Sequence, residues 1–163
     1  MILVKAKRDE LLAPLAAVSG IIERRHTLPI LSNVLIEKSG ETLSFLATDI
    51  EIQIVSRSAL EQTGDTKGIT VGARQLVEIL RALPDGAVTL STQDKRLQVK
   101  SGRSRFTLQT LPAEDFPRLS RPAGDVSKFS LPQKALRKLL ALVQYAMAQQ
   151  DIRYYLNGLL LVV

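Results

Sequence analysis

One local plan, a short alternating strand followed by an amphipathic helix, recurs three times along this 163-residue chain. The strand and helix pairs are predicted at 2–6 with 9–23, at 68–71 with 74–83, and at 128–131 with 132–148. With the strands in register, Leu11, Leu76 and Leu136 fall at the first buried turn of the three helices, 65 and 60 residues apart. This spacing predicts a structural repeat of that size.

Between the helices, apolar and polar residues alternate as they do in antiparallel strands. Six further strands are predicted, at 31–38, 42–47, 50–58, 87–92, 97–100 and 105–111. Ser39-Gly40, Asp94-Lys95 and Ser101-Gly102 mark turns between them, and Pro84-Asp85-Gly86 ends the second helix. Each complete repeat therefore reads β-α-β-β-β, which predicts an α+β fold with helices on one face of antiparallel sheets.

Prolines and mixed charge interrupt every regular pattern between residues 112 and 127, a composition typical of an interdomain linker. We therefore expect a first domain at residues 1–122, complete with two repeats, and the first part of a second domain at residues 123–163. The chain ends inside the apolar run 159–163. We expect the second domain to be truncated, and the chain to be a fragment of a longer protein.

The charge balance favours a polyanionic partner. The chain carries 22 Lys and Arg against 16 Asp and Glu, a net charge of +6, although many basic proteins bind no nucleic acid. It has no cysteine, which excludes disulfides and thiolate metal sites and fits a reducing cytoplasm. No secretion signal is recognisable, and no apolar run approaches the ~20 residues that would span a bilayer. We expect a cytoplasmic protein without a membrane partner.

The third predicted helix has two chemically different faces. Its apolar stripe consists of Leu136, Leu139, Leu140, Val143 and Met147. The opposite face carries Lys134, Lys138, Ala141, Tyr145 and Gln149, with Arg137 near its edge. No acidic residue occurs between Lys128 and Gln150, so the helix forgoes Glu–Lys pairs worth about 0.2–0.5 kcal/mol each. This face is either an ordinary basic surface or one that meets phosphate groups.

Three other features leave two interpretations open. Arg24 and Arg25 follow the first helix, where they can complement the helix dipole, for about 0.3–1 kcal/mol each, or grip phosphate. Phe106 and Leu108 give one face of their strand an apolar character, and that face can pack inward or join a subunit interface. The adjacent Tyr154 and Tyr155 are either packing residues or a contact for something flat or charged.

No catalytic constellation is present. The chain lacks a phosphate-binding GxxxxGK[ST] loop, a GxSxG elbow and an HExxH motif. His26, the only histidine, has no cysteine or carboxylate cluster nearby, and Asp49 and Glu51 lack a third ligand. We therefore expect a protein that is not an enzyme and that uses no cofactor and no metal ion.

Four motifs, spread in order along the chain, carry a specific resemblance. They are TLPILSN at 27–33, SGRSRF at 101–106, LPAEDFP at 111–117 and QDIRYYLNG at 150–158. With them the chain resembles the N-terminal part of the bacterial DNA polymerase III beta subunits, the sliding clamps. The resemblance implies a DNA-clamp fold with three domains per chain, each of two β-α-β-β-β units, the third domain being absent here. Two chains would close into a ring around duplex DNA, with sheets outside and helices lining the hole.

The resemblance also assigns roles to residues. Candidate DNA contacts are Arg24, Arg25, Lys134, Arg137, Lys138, Gln150, Tyr154 and Tyr155. Phe106 and Leu108 match positions that pack against the partner chain of the homodimer. Arg153, Tyr155 and Leu156 match the near edge of a pocket that captures short peptide motifs of the DNA polymerase and the clamp loader, and most of that pocket lies beyond Val163.

The expected function is accordingly that of a processivity factor, a non-catalytic ring that encircles double-stranded DNA of any sequence and tethers the replicative polymerase. The alternative is a basic protein-interaction module, which would bind peptide motifs without encircling DNA.

Overall fold

Two copies of a β-α-β-β-β unit follow one another in the first part of the chain, as the sequence predicts. The computed structural model describes residues 1–22, 28–60, 64–119 and 128–162, and the chain divides into units at residues 1–121 and 122–163. The first copy consists of β1 (Ile2–Lys7), α1 (Arg8–Ser19), β2 (Asn33–Ser39), β3 (Thr42–Thr48) and β4 (Gln53–Ala59). The second copy consists of β5 (Thr66–Gly72), α2 (Ala73–Ala82), β6 (Ala87–Gln93), β7 (Arg96–Ser101) and β8 (Ser104–Pro112).

The first strand of each copy pairs with a strand of the other copy. β1 pairs with β6 of the second copy, and β5 pairs with β2 of the first. The strands join in the order β1-β6-β7-β8-β5-β2-β3-β4, and every pairing among the described strands is antiparallel. The two copies therefore cannot separate without breaking backbone hydrogen bonds in both halves of the sheet.

Tight turns hold the neighbouring strands in register. Gly40 and Gly102 have φ angles of 56° and 54°, a conformation that glycine adopts without steric cost. Each is the first residue of a two-residue turn, between β2 and β3 and between β7 and β8. Asp94 and Lys95 connect β6 to β7 with two successive positive φ angles, 47° and 60°, the pattern of a hairpin turn whose twist matches the strands.

The two helices bury equivalent faces against the strands. α1 buries Leu11, Leu15 and Val18, and α2 buries Leu76 and Leu80. Leu11 and Leu76 have no exposed surface, which confirms the register of the first two repeats. These side chains form one core cluster with strand residues, among them Val34, Ile36, Phe45, Val71, Leu90, Leu97 and Val99.

The segment after β8 packs on the opposite face of β2 and β3. A short 3-10 helix (Ala113–Asp115) leads to Phe116, which is buried against Leu35 and Leu46 in a second small cluster. Arg118 then donates two hydrogen bonds to the carboxylate of Glu37, at 2.7 and 3.2 Å. The predicted linker therefore starts too early, because residues 113–119 lie on the first unit.

Strand β4 begins later in the sequence than predicted, because hydrogen bonds from the backbone to the Asp49 side chain form a turn before it. The sequence predicts a strand from Ile50, yet Ile50 has a φ angle of 83°, which costs a β-branched residue about 1–3 kcal/mol. The Asp49 carboxylate accepts the N–H groups of Glu51 and Ile52, at 2.9 and 2.7 Å. Asp49 thus closes a turn and β4 begins only at Gln53.

The second unit contains helix α3 (Gln133–Val143), followed by 3-10 helices at Gln144–Ala146 and Tyr154–Asn157. Among residues 128–162, no residue is buried and none belongs to a strand. The predicted third-repeat strand at 128–131 is therefore wrong, because a strand needs a neighbour for its backbone groups and the described part of this unit contains none. The observed helix α3 is also shorter at both ends than the helix predicted at 132–148.

We expect Leu76 and Leu136 to differ sharply in their contribution to the stability of this 163-residue chain. Leu76→Ala removes a fully buried side chain and should lower the free energy of unfolding by about 2–5 kcal/mol. Leu136→Ala changes the same residue type at the equivalent repeat position, where the side chain is only half-buried, and should cost less than about 1 kcal/mol. Urea unfolding followed by circular dichroism measures both. Equal losses would contradict the different packing of the two helices.

Candidate functional site

Helix α3 presents three cations to solvent. Lys134, Arg137 and Lys138 are all exposed, and their spacing of three and four residues places them on neighbouring positions of one helix surface. Within the described part of the chain, none of them forms an ion pair with a carboxylate. Lys134 also lies in the first helical turn, where the macrodipole disfavours a positive charge. Among the described residues, no carboxylate therefore competes with an external anion for this surface.

A shallow cavity of about 290 Å³ lies where the end of α3 meets the following turn. Its lining residues come from both segments and are mostly apolar: Val143, Ala146, Met147, Tyr155, Leu156, Gly158, Leu159 and Leu160. The backbone N–H of Ala148 donates to the carbonyl of Leu156 at 3.0 Å, which fixes the turn against the end of the helical segment. The structure thus brings together two of the three predicted pocket-edge residues, Tyr155 and Leu156.

The third predicted pocket-edge residue, Arg153, is hydrogen-bonded to another residue of the same turn. Its Nε and Nη2 donate to the two carboxylate oxygens of Asp151, both at 3.0 Å, and its backbone N–H donates to Asp151 Oδ1 at 2.8 Å. Asp151 is tied in turn to Asn157 by a reciprocal pair of hydrogen bonds, at 2.9 and 3.0 Å. We call this set of contacts among Asp151, Arg153 and Asn157 the Asp151 clasp.

The adjacent tyrosines stand out from the surface. Tyr154 is 83% exposed and Tyr155 67% exposed, and their rings meet edge to face with centroids 5.9 Å apart. Neither ring is therefore buried by the described residues of this chain. Gln150 lies at the start of the same turn, is exposed, and has a φ angle of 57°.

The Asp151 clasp shifts the protonation of both charged partners. The Arg153 side chain, hydrogen-bonded to Asp151, holds the pKa of that carboxyl below its ordinary value of 3.8, and the backbone N–H of Arg153 lowers it further. The same hydrogen bond raises the pKa of the Arg153 guanidinium. Both shifts favour the charged forms, so the contact is an ion pair between a carboxylate and a guanidinium at neutral pH.

The predicted interface residues lie on β8 beside α2. Phe106 is 37% exposed, whereas Leu108 is buried and belongs to the core of the first unit. Together with Gln75, Glu78, Ile79 and Ala82 of α2 they line a groove of about 370 Å³. Among the described strands, β5 pairs with β8 only at residues 110–112, so residues 104–109 of β8 keep one unpaired edge.

Three of the residues singled out in the sequence lie outside the described part of the chain. Arg24 and Arg25 lie outside the described residues, as does His26. In residues 1–22, 28–60, 64–119 and 128–162, no three His, Cys, Asp or Glu side chains are grouped to hold a metal ion. No helix in these ranges is both long and apolar enough to cross a membrane.

Sequence reasoning missed Asp151 and Asn157 as the residues that close the turn, and the α2 residues that flank Phe106. A signal for the first was present, since an aspartate two residues before an arginine, with an asparagine six residues on, can form such a closed turn. The α2 contribution had no local signal, because Gln75 and Phe106 are distant in the sequence and only the fold brings them together.

We expect Arg153→Gln to raise the pKa of the Asp151 carboxyl toward its ordinary value, because the main group that lowers it is removed. A carboxyl carbon NMR titration of the 163-residue chain measures this shift. Since the folded pKa lies below the unfolded one, the stabilisation by the pair is present above pH 3.8 and is lost as the pH falls through the folded pKa. An unshifted titration would mean that the guanidinium does not contact Asp151 in solution.

Comparison with known proteins identifies close relatives. A family model described as the DNA polymerase III beta subunit, N-terminal domain, matches residues 3–120. A protein of Pseudomonas aeruginosa called "Beta sliding clamp" is 49% identical over 156 residues, which cover 95% of this chain and 42% of that protein. The chain therefore spans less than half of the length of this relative.

Solved structures agree in fold. The crystal structure of the DNA polymerase III subunit beta from Pseudomonas aeruginosa matches with a TM-score of 0.89 and 47% identity, over 97% of this chain and 43% of that one. A second structure of the sliding clamp from the same species is bound to griselimycin, and it matches with a TM-score of 0.89 and 46% identity over 96% of this chain and 42% of that one.

Proposed function

Because this chain belongs to the DNA polymerase III beta subunit family, we propose that it is the N-terminal part of a sliding clamp. In this proposal residues 1–122 are a complete first domain, residues 123–163 begin a second domain, and the third domain lies in residues beyond this chain. Two full-length chains form a ring around duplex DNA in the cytoplasm, and the ring tethers the replicative polymerase. The ring performs no chemistry.

The observation that carries this proposal is the exposed basic surface of α3, formed by Lys134, Arg137 and Lys138 without an ion-pair partner in the described residues. Such a surface suits contacts with phosphate groups, which all DNA sequences share. In this proposal Gln150, Tyr154 and Tyr155 add polar and aromatic contacts, and Arg24 and Arg25 complete the DNA-binding set. A basic interaction module that never encircles DNA is not favoured, since relatives of this chain are named sliding clamps.

The cavity at the end of α3 supports a partner-binding role. Tyr155 and Leu156 line it together with Val143 and Met147, and Arg153 lies beside them in the turn. We propose that these residues form one edge of a pocket for short peptide motifs of the DNA polymerase and the clamp loader. We also propose that griselimycin, which is bound to the Pseudomonas aeruginosa clamp, binds to the full-length protein.

The groove between β8 and α2 supports ring closure. Phe106 offers exposed apolar surface there, and the adjoining edge of β8 has free backbone groups among the described strands. An unpaired strand edge beside an apolar side chain favours pairing with another chain. We propose that Phe106 and Leu108 meet the partner subunit of a homodimer at this groove.

The DNA contact is tested with charge-matched variants of the full-length protein. Lys134→Ala with Lys138→Ala should reduce the slope of log affinity against log salt concentration by about 2, or about 1 for each lost phosphate contact. Lys67→Ala with Lys100→Ala removes the same charge from exposed strand positions and should leave the slope unchanged. Binding to a linear duplex, on which no topological link holds the ring, is measured across a salt series. Equal effects of the two pairs would mean that only net charge matters.

A topological measurement on the full-length protein separates a ring from an ordinary binder. The protein loaded on a nicked circle should be released when the circle is cut once, because the ring can then slide off an end. Retention on the linear product at physiological salt would contradict the encircling function.

The dimer contact is tested by Phe106→Asp in the full-length protein. A charge placed in the proposed apolar interface should weaken dimerisation at least about 100-fold, equivalent to about 2.7 kcal/mol, as measured by analytical ultracentrifugation. Leu111→Asp is the matched control, since Leu111 is 41% exposed on the same strand but alternates to its other face. Loss of the dimer in both variants, or in neither, would contradict the interface.

A further inference from the structure

The turn that carries the proposed pocket edge is closed by one acidic residue that sequence patterns did not single out. The Asp151 carboxylate accepts three hydrogen bonds from Arg153, one from the backbone N–H and two from the guanidinium. The backbone N–H of Asp151 donates to Asn157 Oδ1, and its carbonyl accepts from Asn157 Nδ2. Asp151 therefore holds both an internal residue of the turn and its far end.

These contacts leave the pocket-edge residues little freedom. Tyr154, Tyr155 and Leu156 lie between Arg153 and Asn157, and both of these are bonded to Asp151. Leu156 is fixed further, since its N–H donates to the carbonyl of Arg153 at 2.9 Å and its carbonyl accepts from Ala148. The left-handed backbone of Gln150 directs the chain into this closed turn.

We propose that Asp151 is a positioning residue for the partner-binding edge: its carboxylate orients Arg153, and its bonds to Asn157 hold Tyr155 and Leu156 in the arrangement that receives a peptide ligand. This inference rests on the proposed function, because it concerns the same pocket. It adds that the shape of the edge depends on a residue that does not line the cavity.

The geometry of the contact favours an aspartate at this position. A bidentate contact needs two anionic oxygens facing the forked N–H groups of the guanidinium. Asparagine retains one oxygen for the backbone N–H of Arg153, but its NH₂ group would face the cationic fork. Asp151→Asn therefore removes the hold on the Arg153 side chain while leaving the backbone cap in place. The carboxyl is also kept ionised, since Arg153 lowers its pKa.

The test measures griselimycin binding to the full-length protein by calorimetry, with griselimycin as the probe because a relative's clamp holds it. Asp151→Asn should weaken binding about 10-fold, the loss expected when a charge-assisted bidentate contact no longer orients a contact residue. Arg153→Gln should weaken binding at least as much. The double variant should bind no more weakly than Arg153→Gln alone, because Asp151 acts through Arg153. Arg153→Lys, which keeps the charge but not the fork, should fall between the wild type and Arg153→Gln.

Two controls separate the positioning role from folding and from the pocket assignment. Asp49→Asn changes an aspartate that also caps two backbone N–H groups but has no arginine partner in the described residues, and it should leave griselimycin binding unchanged. Leu156→Ala changes a lining residue directly and should weaken binding.

The pattern of binding losses among these variants distinguishes the positioning role of Asp151 from the assignment of the pocket edge. If Leu156→Ala weakens binding and Asp151→Asn does not, the positioning role is wrong while the pocket edge stands. Independent, additive effects of Asp151→Asn and Arg153→Gln also overturn it, as does an equal loss in Asp49→Asn. If Leu156→Ala has no effect, the proposed pocket edge itself is wrong and the positioning role falls with it.

Discussion

The exchange of first strands between the two repeats is the constraint on which the rest of the first unit depends. β1 completes the sheet of the second copy and β5 joins the sheet of the first. Leu3 and Val4 of β1 enter the same core as Leu76 of α2, and Val71 of β5 enters the same core as Leu11 of α1. The two helices also pack against each other. The helices consequently share one core, and the unit has to fold as a whole.

The repeat was predictable because its signals are local. Apolar periodicity places Leu11 and Leu76 on buried helix faces, and glycines mark hairpins at Gly40 and Gly102. The strand exchange was not predictable in this way, since Lys5 pairs with Thr89 across most of the unit and no local pattern specifies that partner. The third repeat shows the same limit. Residues 128–131 have a strand-like pattern, but a strand forms only beside a neighbour, and the described part of the second unit contains none.

Some features of the candidate site also follow from local sequence, whereas others depend on contacts between distant segments. The exposure of Lys134, Arg137 and Lys138 follows from helical periodicity and an absence of acidic residues, so it could be predicted. The exposure of the tyrosine pair was one of two alternatives that the sequence left open. The burial of Leu108 in the core, and the groove that α2 forms beside Phe106, depend on how distant segments meet. The Asp151 clasp lies between these two cases. Its residues are close in the sequence, within one short turn, but their hydrogen bonds depend on side-chain geometry that composition does not predict.

The two surfaces of the second unit differ in their internal hydrogen bonds and ion pairs, and the difference suits the tasks proposed for them. The cations of α3 are exposed side chains without internal ion-pair partners among the described residues, so they can follow phosphates at any register, and each contact is weak. A sliding ring needs that weakness, because topology keeps it on DNA and tight contacts would slow it. Peptide capture needs the opposite property, since every side chain that must be ordered on binding reduces the affinity. The five hydrogen bonds of the Asp151 clasp order that edge before a ligand arrives. The exposed cations of the helix thus suit sequence-independent attraction to DNA, and the hydrogen-bonded turn suits the capture of a specific peptide.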